Sequence, residues 1–336
     1  MINVVNIGIA TDGLANSGQL RHLEEELAYY YEVGYRLVEI NPSAFSLIVH
    51  GELRQAPLKN LLAVLGNFDL SYSVHGLDRL NLAYDPRHDL SRQIMLSYIE
   101  ICRTIGATRL VYHSGLQALD VVRRGLRQTL LSDDELIEGA RREVEAFKVL
   151  APVAADAGVA ICMENGDPHR WEFELLTRFN RPSSELAKHH PRLLIGPIVR
   201  QLEAINHPNV ALTLDVAHLY ISAQNLKFDY LEAASQAAPW VKHLHANDNF
   251  GHLDHGFDVA GDRLAFGEAD IHLPPAWGTI PYHEIFARLP DYEGDLILEI
   301  KPGFRDYFGS SLTTMQGILD GLAGSASFHN PEQGEG

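Results

Sequence analysis

Eight short runs rich in Val, Ile, Leu and other strand-forming residues recur along the chain, with helical patterning between them. The runs lie at about 4–9 (VVNIGI), 36–40 (RLVEI), 70–75 (LSYSVH), 108–113 (TRLVYH), 159–164 (VAICME), 210–215 (VALTLD), 241–245 (VKHLH) and 295–300 (DLILEI). Stretches such as QLRHLEEELAYYYEVG and HDLSRQIMLSYIEICRTIGA space their apolar residues as helices do. Ser132 and Glu135 form a capping-box pattern at the head of another. Eight strands alternating with about eight helices predict a single α/β (β/α)8 TIM barrel. An open doubly wound sheet is the alternative, but no GxGxxG follows the first run. No domain boundary is visible: the barrel is expected over residues 1–325, with a flexible tail over 326–336. Two connections are long, 166–190 after the fifth run and 246–280 after the seventh, and long loops in a compact domain usually serve function.

Side chains alternate along a strand, so every second residue of each run faces the barrel axis. In that phase Glu164 shares a face with Ala160 and Cys162, Asp215 with Ala211 and Thr213, and His245 with His243. Small residues line the inside, and bulky ones meet the helices. The C-terminal ends present Glu39, His75, His113, Glu164, Asp215, His245 and Glu299 from seven strands. In a parallel barrel those ends share one mouth, where active sites lie. Four carboxylates crowded there repel one another, and a divalent cation relieves the repulsion. Glu164, Asp215, His245 and Glu299 are therefore the expected metal ligands. Each of the others also has a plain reading. Glu39 reads as a partner for a loop amide or an arginine, His75 and His113 as core histidines, and His218 as a brace for the next segment.

Charge narrows the partners. The formal net charge of −17 disfavours polyanions, so no nucleic acid is expected. No apolar stretch is long enough to span a bilayer, and the N-terminus lacks the basic start of a signal peptide. Cys102 and Cys162 stand far apart with no CxxC pattern, and a cytoplasmic location is expected.

In this order, each at a strand end, Glu164-Asn165, Asp215-x-x-His218, His245 and Glu299 make the chain resemble the xylose isomerase-like TIM-barrel superfamily, over about residues 4–320. That superfamily holds sugar isomerases and epimerases together with endonuclease IV-type members. The resemblance to ketose 3-epimerase-like members implies one divalent metal on Glu164, Asp215, His245 and Glu299. It also implies that Glu164 and Glu299 act as acid and base through an enediolate, with His218 on a substrate hydroxyl. Three carboxylates and one imidazole suit Mn2+, with Mg2+, Co2+ or Zn2+ as alternatives. Imidazoles from His75 and His113 would favour Zn2+ or allow a second metal.

The endonuclease IV-like branch implies three zinc ions on nine ligands, the last two from an Asp-x-His after the seventh strand. The nearest match is read at Asp262-Arg263-Leu264, where leucine cannot bind zinc; His252, Asp254, His255 and Asp258 are possible substitutes. His272, in the Gly-rich segment 267–286, is read as a substrate ligand or a turn histidine. Lys301 is read as an ion pair with Glu299 or an oxyanion stabiliser. The expected substrate-binding set is thus His75, His218, His272, Lys301 and Glu39. The reaction expected is sugar, keto-sugar or polyol isomerisation or epimerisation. A lyase of keto-C-glycoside deglycosidase or inosose dehydratase type, with His113 as acid, is the near alternative, and an endonuclease IV-like phosphodiesterase the remote one. Residues 167–190, with His169 and Trp171, are expected as a lid, a homo-oligomer contact or a surface loop, and Trp171 and Trp277 as sugar-stacking rings.

Overall fold

A computed structural model describes residues 2–11, 18–256 and 260–327. All eight expected strands form: β1 (Asn3–Ala10), β2 (Leu37–Ile40), β3 (Ser71–His75), β4 (Arg109–His113), β5 (Ala160–Glu164), β6 (Val210–Asp215), β7 (Val241–Ala246) and β8 (Glu293–Leu298). They close into a parallel barrel in the order β1-β8-β7-β6-β5-β4-β3-β2. Around it run α1 (Leu20–Glu32), α2 (Gln55–Leu65), α3 (His88–Ile105), α4 (Asp133–Asp156), α5 (Ile195–Ile205), α6 (Tyr230–Ala237), α7 (Tyr282–Phe286) and α8 (Phe308–Ser327). Residues 328–336, most of the expected tail, lie outside the described residues; 326 and 327 belong to α8 rather than to the tail.

Each helix buries one stripe. On α1 the stripe is Leu23, Leu27 and Tyr30, spaced four and three residues apart, against the outward faces of the strands. A fully buried leucine of this kind contributes about 1.5–3 kcal/mol. The capping box at α4 is present: Ser132 Oγ accepts from the Glu135 N–H, and Glu135 Oε2 accepts from the Ser132 N–H at 2.9 Å. Inside the barrel, Ala160, Cys162 and Ala211 form a separate small apolar layer. Both cysteines are buried and unpaired. Among the described residues no helix is long and apolar enough to cross a membrane.

The long connection expected over 166–190 carries helices instead, Arg170–Arg178 and Leu186–His189. Leu176 and Leu186 bury against Leu119 and Leu193, with Trp171 partly buried beside them, and Glu172 Oε2 accepts the His169 N–H at 2.9 Å. The second long connection contains a further helix, Ala260–Phe266. Arg170 and Arg181 pair with Glu174 and Glu185 on the surface.

One buried acid braces the barrel from outside. Glu143, on α4, is fully buried; its Oε1 accepts from Tyr112 Oη at 2.8 Å and from the Gly115 N–H at 2.6 Å, pinning the turn after β4. Burial pushes its carboxyl up to about 7, although Tyr112, Gly115 and Arg192 pull the other way. The folded state therefore holds a proton that the unfolded chain releases near its ordinary value of 4.5. This contribution is fully present at low pH and lost as pH rises through about 7. Glu143→Gln should remove that loss. Melting temperatures of variant and wild type are expected to diverge in the variant's favour between pH 5 and 8; parallel curves would refute the assignment.

Candidate active site

The parallel register assembles the mouth. It sets His113 beside Glu164 and Asp215 beside His245, and pairs His245 with Ile297, two residues before Glu299. One ligand atom from each of Glu164, Asp215, His245 and Glu299 lies within 4.8 Å of the others. Asp215 Oδ1 caps the helix Val216–Leu226, accepting from the Ala217 and His218 N–H groups at 2.7 Å each. Its Oδ2 is buried and, among the described residues, has no hydrogen-bond partner. Leaving such an oxygen unsatisfied costs stability. Burial raises the Asp215 carboxyl to about 7; His218 opposes this, while Glu299, Glu164 and Asp270 reinforce it. Glu164 accepts from His245 Nδ1 at 3.0 Å. Burial would raise its carboxyl, but His113 and His245 hold it well below the usual range. Three carboxylates and one imidazole, with an orphaned buried oxygen among them, fit a divalent cation.

Beneath this group Glu39, expected from the sequence to bind substrate, pairs with His243, to which the sequence assigned no role. His243 Nε2 lies 2.8 Å from Glu39 Oε2, which also accepts from Ser73 Oγ at 2.9 Å. Glu39 Oε1 lies 2.9 Å from His245 Nε2. Glu39 thus lines the cavity, with Oε2 bonded to His243 and Ser73 and Oε1 at ion-pair distance from His245. A carboxylate on the far nitrogen of a ligand histidine fixes its orientation and raises its basicity. The signal for His243 was its two-residue spacing from His245; nothing local marked Glu39 as its partner.

Two flanks adjoin the group. On one, His113 Nε2 lies 2.8 Å from Glu164 Oε2, and His75 Nε2 lies 3.9 Å from the same oxygen. Asp78 Oδ1 is 3.6 Å from His75 Nδ1, and the three residues can offer ligand atoms to one ion. On the other flank, His218 Nδ1 lies 3.6 Å from Asp215 Oδ2, and its Nε2 3.4 Å from Asp270 Oδ2. His272 Nε2 contacts the same Asp270 oxygen. Burial would lower the His272 imidazole, but Asp270 and Glu299 bring it up to about 9.

The expected Asp-x-His at Asp262–Leu264 is therefore misplaced. Those residues lie in the helix Ala260–Phe266, and the Asp-x-His that reaches the mouth is Asp270-Ile271-His272. Positive φ at Ala269 and His272 turns the chain, and an antiparallel bridge between Asp248 and Leu273 pins it. Lys301 Nζ donates to the Asp270 carbonyl at 3.4 Å. Of the loop residues read as substitutes, Asp254 pairs with Arg263 and His255 with Glu268, and Asp258 lies outside the described residues.

The mouth opens into a cavity of about 440 Å³. Its walls include Trp171, His169 and Gln117, and four arginines that the sequence did not single out for this place: Arg79, Arg123, Arg192 and Arg263. Trp277 packs edge-on against Tyr307 and Phe304.

The family model described as xylose isomerase-like TIM barrel matches residues 27–307. The chain belongs to that family. Solved structures agree on the family's fold. A D-tagatose 3-epimerase-like protein is 17% identical with a TM-score of 0.68, over 96% of this chain and 100% of that one. An L-ribulose 3-epimerase is 15% identical with a TM-score of 0.61, over all of both chains. The probable 3-DHS dehydratase of Bacillus anthracis is 13% identical with a TM-score of 0.61, over 93% of this chain and 99% of that one. No curated protein matches the chain by sequence. At these identities the structural likeness speaks for the barrel, and the chemistry of this family member has to be read from its own mouth.

Proposed function

We propose that the protein is a divalent-metal-dependent isomerase or epimerase of ketoses or related keto-sugars. The observation that carries the reading is the convergence of Glu164, Asp215, His245 and Glu299 around the unpartnered Asp215 Oδ2. Sugar epimerases among the structural neighbours support it. In this reading those four residues hold the cation, Mn2+ being favoured by the oxygen-rich donor set. A bound cation would polarise the sugar carbonyl and stabilise the negative charge that develops when the α-proton leaves, an effect worth several kcal/mol.

The chain's own residues do the rest. Glu164 and Glu299 come from β5 and the end of β8, three strands apart round the ring, an arrangement that would let them approach a substrate from different sides. One takes the proton from carbon and the other returns it, a role typically contributing ~10²–10⁴-fold. His113, 2.8 Å from Glu164, orients that carboxylate, and it would serve as acid if a leaving group departed instead. Glu39 holds His245 in place. His75, His218 and His272 line the space where sugar hydroxyls would bind, and Lys301 braces the Asp270 carbonyl beside it. The barrel mouth suits a small-molecule carbohydrate. Incubation in deuterated water with a panel of ketoses and keto-glycosides should place deuterium at a carbon next to the carbonyl; no incorporation from any member would reject the reading.

A second reading rests on one observation. Asp270 and His272, together with His218, complete the nine-ligand pattern implied by the resemblance to the endonuclease IV-like branch. Incision of a DNA duplex carrying one abasic site, without isotope exchange in any sugar, would select that phosphodiesterase reading. The net charge of −17 weighs against it.

A further inference from the structure

We propose that the substrate carries an oxyanion, a carboxylate or a phosphate, away from its reacting carbons, and that Arg123 and Arg192 receive it. This rests on the ketose reading and names the substrate class within it. Four arginines line the cavity. Two are neutralised by the protein: Arg79 Nη1 lies 3.1 Å from Asp120 Oδ1, and Arg263 Nη2 lies 3.3 Å from Asp254 Oδ2. Among the described residues, Arg123 and Arg192 have no carboxylate within 4.0 Å.

The two are held in complementary ways. The Arg123 guanidinium carbon lies 4.4 Å above the centre of the Trp171 ring, a cation–π contact that holds the side chain at the cavity wall without neutralising its charge. Arg192 is 7% exposed, and its Nε donates to His190 Nε2 at 2.9 Å. His190 is fully buried, with Nδ1 2.7 Å from Glu172 Oε1. Burial lowers the His190 imidazole against the pull of Glu172, which suits the neutral ring that accepts from Arg192. This buried scaffold fixes the Nε side of Arg192 while the residue still lines the cavity.

A buried guanidinium without an anion is costly, and a planar fork of donors matches carboxylate or phosphate oxygens. In a chain of net charge −17, both place positive charge at the wall of the working cavity, Arg123 from an exposed position and Arg192 from a buried one. The acids at the mouth would repel an anionic group, so the arginines set its position at the far end of the substrate. A volume of about 440 Å³ leaves room for a sugar and such a group. A neutral sugar would leave both forks without a counter-charge.

The test compares fructose, fructose 6-phosphate and 5-ketogluconate as probes with the metal-loaded full chain. Deuterium incorporation gives kcat/KM, and thermal shift gives binding independently of turnover. The expected result is at least a tenfold preference for a charged probe over fructose, in either readout, with the two charged probes telling phosphate from carboxylate. Arg123→Gln, at an exposed position, and Arg192→Lys, which keeps the charge but loses the fork, should each cut that ratio at least tenfold; circular dichroism checks that both fold. Equal treatment of charged and neutral probes by the wild type overturns the proposal, as does a ratio unchanged in both variants or no thermal shift with either charged probe. Absence of exchange with every probe, alongside a charge-dependent thermal shift, rejects the ketose chemistry while the anion site stands.

Discussion

In a Glu164→Gln variant, deuterium incorporation into the substrate is expected to fall at least a thousandfold while the circular dichroism spectrum stays that of the wild type. Two losses combine. The amide cannot take a proton from carbon, which removes a contribution of roughly 10²–10⁴-fold. It is also a poorer donor to a divalent cation than the carboxylate. The fold should survive, because glutamine has nearly the same shape and Oε1 can still accept from His245. Burial works against ionisation, but His113 and His245 keep Glu164 ionised, so the substitution removes a charge that the site is built around. Wild-type exchange in this variant would take Glu164 out of the acid–base role.

The second large effect concerns the cation itself. Treatment with EDTA should reduce exchange to background, and added Mn2+ should restore it. Asp215 Oδ2 is the reason to expect complete loss: without a cation it is a buried oxygen with no hydrogen bond, beside Glu164 and Glu299. One tightly held equivalent per chain is expected, and His75→Ala should leave that count unchanged. Two equivalents in the wild type, falling to one in His75→Ala, would show that His75, Asp78 and His113 hold an ion of their own. Exchange that is indifferent to the chelator would refute metal-assisted proton transfer altogether.

The strands and their inward faces were legible because both signals are local. A two-residue alternation can be read within six residues, and the strand-end rule of parallel barrels then carries Glu164, Asp215, His245 and Glu299 to one mouth. The segment 166–190 reads as a loop in sequence because its helices are short and owe their stability to Leu119 and Leu193, outside the segment. Nothing local ranks Asp270-Ile271-His272 above Asp262-Arg263-Leu264; backbone turns at Ala269 and His272 and the bridge to Asp248 decide which triplet arrives.

The barrel and the side chains at its C-terminal rim can be read from local patterning, since periodicity and composition act over a few residues. That Glu39 bonds His243 across 204 residues of chain, and that Arg123 and Arg192 have no carboxylate within reach among the described residues, follows from the three-dimensional packing alone. Those facts depend on which strand closes against which and on how the connecting segments fold back over the mouth. They are long-range outcomes of packing, and no window of neighbouring residues records them.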